Sequence, residues 1–245
     1  MQPSNKYLPR ALVTGATGDI GEAICLKLAD HYHIIVHTAH QPQKANILVE
    51  QIITRGGSAE YFQCDLSDAN ATATAIQTLL AEAPIQILVN NAGIHEDIPF
   101  AGMEYSQWQK VIDLNLNTFY HVTQPLLLPM MATRWGRIIS LSSIAALAGN
   151  RGQVNYAAAK AALHGASKSL ALEVASRGIT VNVVAPGIIA TTMTAEKFPA
   201  EMIKRTIPMQ RAGTSKEIAA VVNFLASEDA SYLSGQIISV NGAML

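Results

Sequence analysis

Tyr156 and Lys160 stand four positions apart in the alanine-rich, little-charged stretch Asn155-Tyr156-Ala157-Ala158-Ala159-Lys160-Ala161-Ala162. On a helix beginning near Gln153 that spacing puts both side chains on one face. A phenol with an ordinary pKa of about 10 is a poor acid-base group at neutral pH, and a neighbouring ammonium favours its ionised form. Lys160 would thereby make Tyr156 usable for proton transfer. Ser143, just after the apolar run Gly136-Leu141, could hold a carbonyl oxygen by its hydroxyl as negative charge develops there. Asn115, in Asp113-Leu114-Asn115, could hold a water that links Lys160 to solvent. A tyrosine and a lysine at this spacing are, alone, more often an exposed helix pair. What favours an active site is that they follow Ser142-Ser143 and lie downstream of a phosphate-type loop.

That loop is Thr14-Gly15-Ala16-Thr17-Gly18-Asp19-Ile20-Gly21, between an apolar run and the helical stretch Glu22-Leu28. Glycines let a backbone turn tightly against a pyrophosphate, while the free amides and positive dipole end of the helix attract the anion. The plain alternative is a strand-to-helix turn whose glycines serve packing. Its place after an N-terminal strand favours dinucleotide binding through Gly15, Thr17, Gly18, Asp19, Ile20 and Gly21. Two further polar clusters are Cys64-Asp65-Leu66 and Asn90-Asn91-Ala92-Gly93. Asp65 could accept a hydrogen bond from an adenine amino group, or serve as an acid near a helix start with Ser67 and Asp68. The asparagines could line the cofactor or tie down loop backbone.

These residues need elements that bring them together. Short runs rich in Val and Ile alternate with helical-period stretches, the pattern of parallel strands joined by crossover helices. Strands are expected at Ala11-Thr14, His33-His37, Ala59-Gln63, Ile85-Asn90, Gly136-Leu141, Thr180-Val184 and Gln236-Val240. The first, fourth and fifth are too apolar for a face open to water. The fold class is therefore α/β: a Rossmann-like, doubly wound, mostly parallel seven-stranded sheet with helices on both faces, in one domain spanning 1–245. Right-handed crossovers align the carboxyl ends of all strands along one edge, where such sheets bind ligands. Gly56-Gly57 reads as a helix stop, and Ile188-Arg211 as a loop with short helices and a candidate lid.

With 17 basic against 18 acidic residues and a formal charge of -1, no global field draws the chain to nucleic acid or anionic lipid. A small-molecule partner is expected. Cys25 and Cys64 lie far apart without CxxC spacing, which suits buried reduced thiols, no metal site and a cytoplasmic setting. The start MQPSNKYLPR carries no export-type leader, and no run of apolar residues reaches the roughly 18 needed for a membrane span.

The Thr-Gly-rich loop, Asn-Asn-Ala-Gly, the serine and Tyr-x-x-x-Lys together resemble the short-chain dehydrogenase/reductase family, from about Leu12 to the C-terminus. Gly136-Arg137-Ile138-Ile139, Gly149-Asn150-Arg151-Gly152-Gln153-Val154-Asn155-Tyr156, Val184-Ala185-Pro186-Gly187 and Ile238-Ser239-Val240-Asn241-Gly242 are similar to its 3-oxoacyl-acyl carrier protein reductases. The resemblance implies catalysis by Ser143, Tyr156 and Lys160, with Asn115 completing a tetrad. It also implies a nicotinamide bordered by Pro186, Gly187, Ile188 and Ile189, and contacts from Asn91, Ala92, Gly93, Asp65 and Leu66. Hydride would pass to the 3-oxo carbon of a carrier-bound acyl chain in fatty-acid, polyketide or aryl polyene synthesis. Arg134 and Arg177 match positions that form a basic surface for the acidic carrier in such reductases, though either could be a solvated surface arginine. A homodimer or homotetramer through helices near Met103-Met131 and Gln153-Arg177 is implied too.

The chain departs from the family loop, Thr-Gly-x-x-x-Gly-x-Gly, in placing Asp19 at the middle glycine and Gly18 one residue earlier. Asp19 could cap the following helix, yet its charge would repel a pyrophosphate, so a remodelled loop is expected. Gly18 also stands where an arginine often meets the 2'-phosphate of NADP. After the second strand comes His37-Thr38-Ala39-His40-Gln41, with no acid to take both ribose hydroxyls as NAD sites commonly require, which argues for NADP(H). His37, Thr38 and His40 could donate to the 2'-phosphate or be plain polar loop residues. Rival readings are a reductase of free ketones or CoA thioesters, and a catalytically silent dinucleotide-binding subunit.

Overall fold

The computed structural model describes residues 8–192 and 199–245. The start of the chain read above for a leader, and residues 193–198 of the expected lid, lie outside the described residues.

In chain order the elements are β1 Arg10–Val13, α1 Asp19–Leu28, β2 His33–Thr38, α2 Pro42–Thr54, β3 Ser58–Gln63, α3 Ala69–Glu82 and β4 Ile87–Asn90. There follow α4 Tyr105–Ile112, a π-helical turn Asp113–Asn117, α5 Thr118–Thr133, β5 Gly136–Leu141, α6 Ala145–Ala148 and α7 Val154–Val174. Then come β6 Ile179–Pro186, β7 Ile189–Ala190, α8 Ala200–Thr206, β8 Gly213–Thr214, α9 Ser215–Ala226 and β9 Ile237–Val240. Seven strands form one parallel sheet in the order β3-β2-β1-β4-β5-β6-β9. Strand order reverses between β1 and β4, so their carboxyl ends diverge into a crevice.

The register explains the two cores. Ile35, Leu12, Leu88, Ile138 and Val181 are aligned across five strands and all point to one face. There they meet Ile76 and Leu79 of α3, Val122, Leu126 and Met130 of α5, and Ala171 and Val174 of α7. The neighbouring row Val36, Val13, Val89 and Ile139 points the other way, against Ile24 and Leu28 of α1, Leu48 and Ile52 of α2, and Ile218, Val222 and Leu225 of α9. Since side chains alternate along a strand, a one-residue slip would invert every row, and the apolar match fixes the register.

Local signals set the helix ends. Asp68 caps α3 by accepting the Asn70 and Ala71 amides, and Thr214 with Glu217 forms a capping box on α9. Past α2, Gly56 takes a φ of +87°, the left-handed turn that glycine tolerates. The expected strands are all present, β5 with the expected bounds and the others with shifted ends. β1 begins at Arg10 because that residue, though charged, is buried: its guanidinium donates to Glu60 at 2.8 Å, Glu82 at 3.0 Å and the Leu79 and Ala83 carbonyls. β4 starts at Ile87 rather than Ile85, and β6 runs on to Pro186. The segment read as loop and short helices contains α8 and a two-residue strand β7, paired with β8. Cys25 and Cys64 are both buried and free, and among the described residues no helix is long and apolar enough to cross a membrane.

Candidate active site

The long helix α7 begins immediately after Gln153 and carries Tyr156 and Lys160 on its first turns. Asn155, fully buried, anchors this end. Its Nδ2 donates to the Glu96 carbonyl at 3.2 Å and its Oδ1 accepts the Tyr156 amide at 2.8 Å. Ser142 and Ser143 follow β5. The Ser143 Oγ accepts the Ala145 amide at 3.1 Å, and its hydroxyl is near enough to the Tyr156 phenol to favour the ionised form. Side chains following β5 and opening α7 are thereby brought together.

Lys160 is buried, and its Nζ donates to the Leu141 carbonyl at 2.8 Å while standing 5.8 Å from the centre of the Tyr156 ring. Burial pushes its pKa down to about 8. Burial also raises that of Tyr156, with the nearby Ser143 hydroxyl opposing the rise and the Asp97 charge adding to it. Burial therefore keeps the Tyr156 phenol protonated at neutral pH in the folded chain.

Asn115 lies on the π-helical turn between α4 and α5. Such turns are rare and frequent at functional sites, because the extra residue redirects a side chain. Its Nδ2 donates to the Ile94 and Val111 carbonyls at 2.7 and 2.9 Å, whereas its Oδ1 is buried with no protein partner. Gly93 lies beside both Asn115 and Lys160: a Cβ there would strike the Asn115 Oδ1 and come within 3.1 Å of the Lys160 Nζ. An unpaired acceptor and an ammonium with spare donors thus face one small space.

Beside this group, a cavity of about 800 Å³ runs along the crevice between the loops after β1, β2, β3 and β4. Gly15, Thr17, His37, Thr38, His40, Asp65, Leu66, Ala92 and Gly93 line it. Glycines let the loops close up. A Cβ on Gly15 would come within 2.9 Å of the Ala92 Cα, and one on Gly21 within 2.5 Å of the Gly15 carbonyl oxygen. Gly18 precedes α1 without any side-chain cap, so the first-turn amides of the helix are left for an anion. This cradle fits a dinucleotide.

Several sequence expectations take a different form here. The side chain of Asp19 does not cap α1; it reaches Thr192, accepting its amide at 2.8 Å and its hydroxyl at 3.3 Å. The Asn91 Nδ2 spends its donors on the Thr14 and Gly15 carbonyls, at 2.9 and 3.1 Å, so that this nitrogen shapes the loop. His37 is no donor for a 2'-phosphate, since both ring nitrogens are engaged inside the protein. Leu66 and Ile189 bury their side chains in the two cores, so only their backbones can face a cofactor. Thr38 is buried as well, but its Oγ1 lies 3.3 Å from that of Thr17 and accepts the Gln41 amide at 3.1 Å, a polar floor for the ribose end. Asp65 accepts the Ser67 amide and hydroxyl at 3.0 and 2.7 Å, which holds its carboxyl below the usual range, while Asp68 is the actual cap. Pro186 ends β6, and a Cβ on Gly187 would come within 2.8 Å of the Asn241 Cα.

Arg134 and Arg177 are brought side by side, the former donating to the Ser176 carbonyl at 3.4 Å. Both immediately precede strands, β5 and β6, so they lie at the amino edge of the sheet and Tyr156 at the carboxyl edge. The sequence reading missed the polar wall over Tyr156. The His95 ring stands edge-on to it at 6.3 Å, with its Nδ1 3.0 Å from Asp97, and Asp97 accepts from Gln153 at 2.7 Å. The polar run just after Asn-Asn-Ala-Gly was the available signal.

A family model described as enoyl-(acyl carrier protein) reductase matches residues 15–244. The chain is 43% identical over 238 residues to a 3-oxoacyl-[acyl-carrier-protein] reductase of Synechocystis sp., covering 96% of each. It is 42% identical over 238 residues to the enzyme of that name from Pseudomonas aeruginosa, and 40% identical over 240 residues to an acetoacetyl-CoA reductase of Acinetobacter sp., again covering 96% of each chain. The chain belongs to the short-chain dehydrogenase/reductase family, whose oxidoreductases use a nicotinamide dinucleotide.

Proposed function

We propose that residues 1–245 act as a single reductase domain that converts a 3-oxoacyl thioester on acyl carrier protein to the 3-hydroxyacyl thioester with NADPH, in fatty-acid synthesis. The observation that carries this reading is the grouping of Ser143 and Tyr156 with a buried Lys160, which Gly93 joins to a cleft of about 800 Å³ running past the glycine-rich loop. A reduced nicotinamide held in this cleft would supply the hydride for the carbonyl carbon. Tyr156 gives its phenolic proton to the carbonyl oxygen, and Ser143 donates a hydrogen bond to that oxygen as charge builds. Lys160 stabilises the phenolate left behind, and Asn115, through its spare Oδ1, is suited to pass a proton back by way of a water held against Lys160. All four catalytic-type residues being present speaks against a silent subunit.

NADPH is favoured over NADH because no acid lies in Thr38-Gln41 to bind both ribose hydroxyls, and His40 with Thr17 and Thr38 lines that end of the cleft. Among the described residues no arginine lines it, so the preference rests on polar donors. The two buried free thiols support a cytoplasmic setting. Exposed Tyr120 and Leu128 on α5 and Leu172 on α7 support a homodimer or homotetramer packed through those helices.

Arg134 and Arg177 enter as the docking ridge for the acidic carrier. From the amino edge they would serve the site of a neighbouring copy, since a strand of six residues spans about 20 Å. The likeness to an acetoacetyl-CoA reductase gives a second reading, in which the acyl chain arrives on CoA. Replacing both arginines by glutamate tests the choice. Loss of activity on 3-oxoacyl-carrier protein, with a small 3-oxo ester spared and a matched double reversal elsewhere silent, is expected. Full carrier activity at moderate salt would favour CoA.

A further inference from the structure

The one imidazole buried beside the phosphate loop has its protonation fixed by its neighbours. The Gly15 amide donates to the His37 Nδ1 at 2.9 Å, and a backbone N–H can only donate, so Nδ1 carries no proton. On the other side Nε2 lies 2.9 Å from the Cys64 carbonyl oxygen, which can only accept, so Nε2 must carry one. The ring is neutral and in a single tautomer. It is 2% exposed and packs against Phe62, with ring centres 5.0 Å apart. Burial holds its pKa down to about 4, so the tautomer persists at neutral pH.

The same residue grips the loop a second time: its carbonyl accepts the Ala16 amide at 2.9 Å. Gly15, with a φ of +61°, cannot be replaced without strain, and its own carbonyl accepts the Gly18 amide at 3.2 Å. One side chain on β2 therefore joins the turn after β1 to the turn after β3. Both turns line the cleft, one through Gly15 and the other through Asp65.

We infer that His37 is a positioning residue for the dinucleotide, its imidazole acting as a fixed spacer between the Gly15 amide and the Cys64 carbonyl. It touches neither substrate nor reacting atoms. The inference rests on the dinucleotide reading above and goes further, because it assigns to this ring the spacing of the two turns that grip the cofactor. Glutamine tests the assignment well: its amide offers one acceptor and one donor about as far apart as the two ring nitrogens, whereas leucine fills the space and offers neither.

The experiment begins with a fluorescence titration of the unmodified chain with NADPH. Absence of binding there would overturn the dinucleotide reading itself, a different outcome from any that follows. With binding established, His37→Leu is expected to weaken NADPH at least tenfold and to raise its KM accordingly, with kcat at saturating NADPH changed less than twofold. His37→Gln is expected to stay within threefold of the unmodified chain in both. ¹⁵N NMR of the unmodified chain should show His37 as the Nε2–H tautomer. Leucine and glutamine variants that both bind NADPH normally, or that lose affinity equally, would overturn the spacer role, as would an Nδ1–H ring. Should His37→Leu fail to fold, the glutamine variant and the tautomer decide: a tenfold loss in the former or the wrong form in the latter rejects the inference.

Discussion

In the proposed reaction the working atoms beside β5 and α7 belong to side chains, whereas around the turns after β1 and β2 they belong mostly to the backbone. Ser143, Tyr156 and Lys160 point into the site from a strand end and a helix, and each is recognisable by its residue type. Around Gly15 the side chains of Asn91, Thr14 and His37 hold main chain in place. Chemistry at the first end depends on which residues are present; binding at the second depends on how a turn is held. Substitutions should therefore change turnover at one end and affinity at the other.

The sharpest way to break that division is Tyr156→Phe, which removes the proton donor and leaves the phosphate loop intact. Turnover should fall by about 10²- to 10⁴-fold, with the NADPH dissociation constant within twofold of the unmodified chain. Steady-state kinetics beside a binding titration would show it, and a variant that lost affinity instead would merge the two ends.

Lys160 gives the next largest effect. Its pKa lies near 8 in the fold against an ordinary 10.5. Between those values the unfolded chain binds more protons than the folded one, so stability rises with pH across that window and is lost as pH falls towards 8. In Lys160→Met this dependence vanishes. The stability gap between variant and unmodified chain should therefore shift by about 3 kcal/mol from pH 7 to pH 10.5, the unmodified chain gaining, as measured by denaturant titration at both pH values. A constant gap would mean that the ammonium pays no desolvation penalty in its site.

Asp19 should give the smallest change and sharpens the account of the second end. Its carboxylate leans on Thr192 beside the first-turn amides of α1. Asp19→Asn removes a negative charge near the pyrophosphate, and NADPH should bind about two- to fivefold tighter, the scale of one charge at a helix N-terminus. Weaker binding in the titration would show that the tie to Thr192 matters more than the repulsion.

The same division explains what could be read from the sequence. Tyr156, Lys160 and Ser143 were legible because a phenol, an ammonium and a hydroxyl at those places in an α/β pattern have few other uses. The sheet was legible because rows such as Ile35, Leu12 and Leu88 alternate faces with their neighbours. Arg10 was not, since a buried guanidinium shows itself only when Glu60 and Glu82 close around it in space. The π-helical turn under Asn115 depends on one extra residue between two helices, which periodicity does not register. His37 reads as a polar residue at a strand end, and only the positions of Gly15 and Cys64 turn it into a spacer.

The central claim is reduction of a 3-oxoacyl thioester with Tyr156 as the proton donor. NADPH oxidation measured side by side with 3-oxoacyl-carrier protein, 3-oxoacyl-CoA and simple ketones, for the unmodified chain and Tyr156→Phe, tests it most directly. The account predicts the highest kcat/KM on the carrier-bound substrate, a 3-hydroxyacyl product, and near abolition of all three activities in the variant. Higher kcat/KM on simple ketones, or a Tyr156→Phe variant keeping most of its turnover, would contradict it.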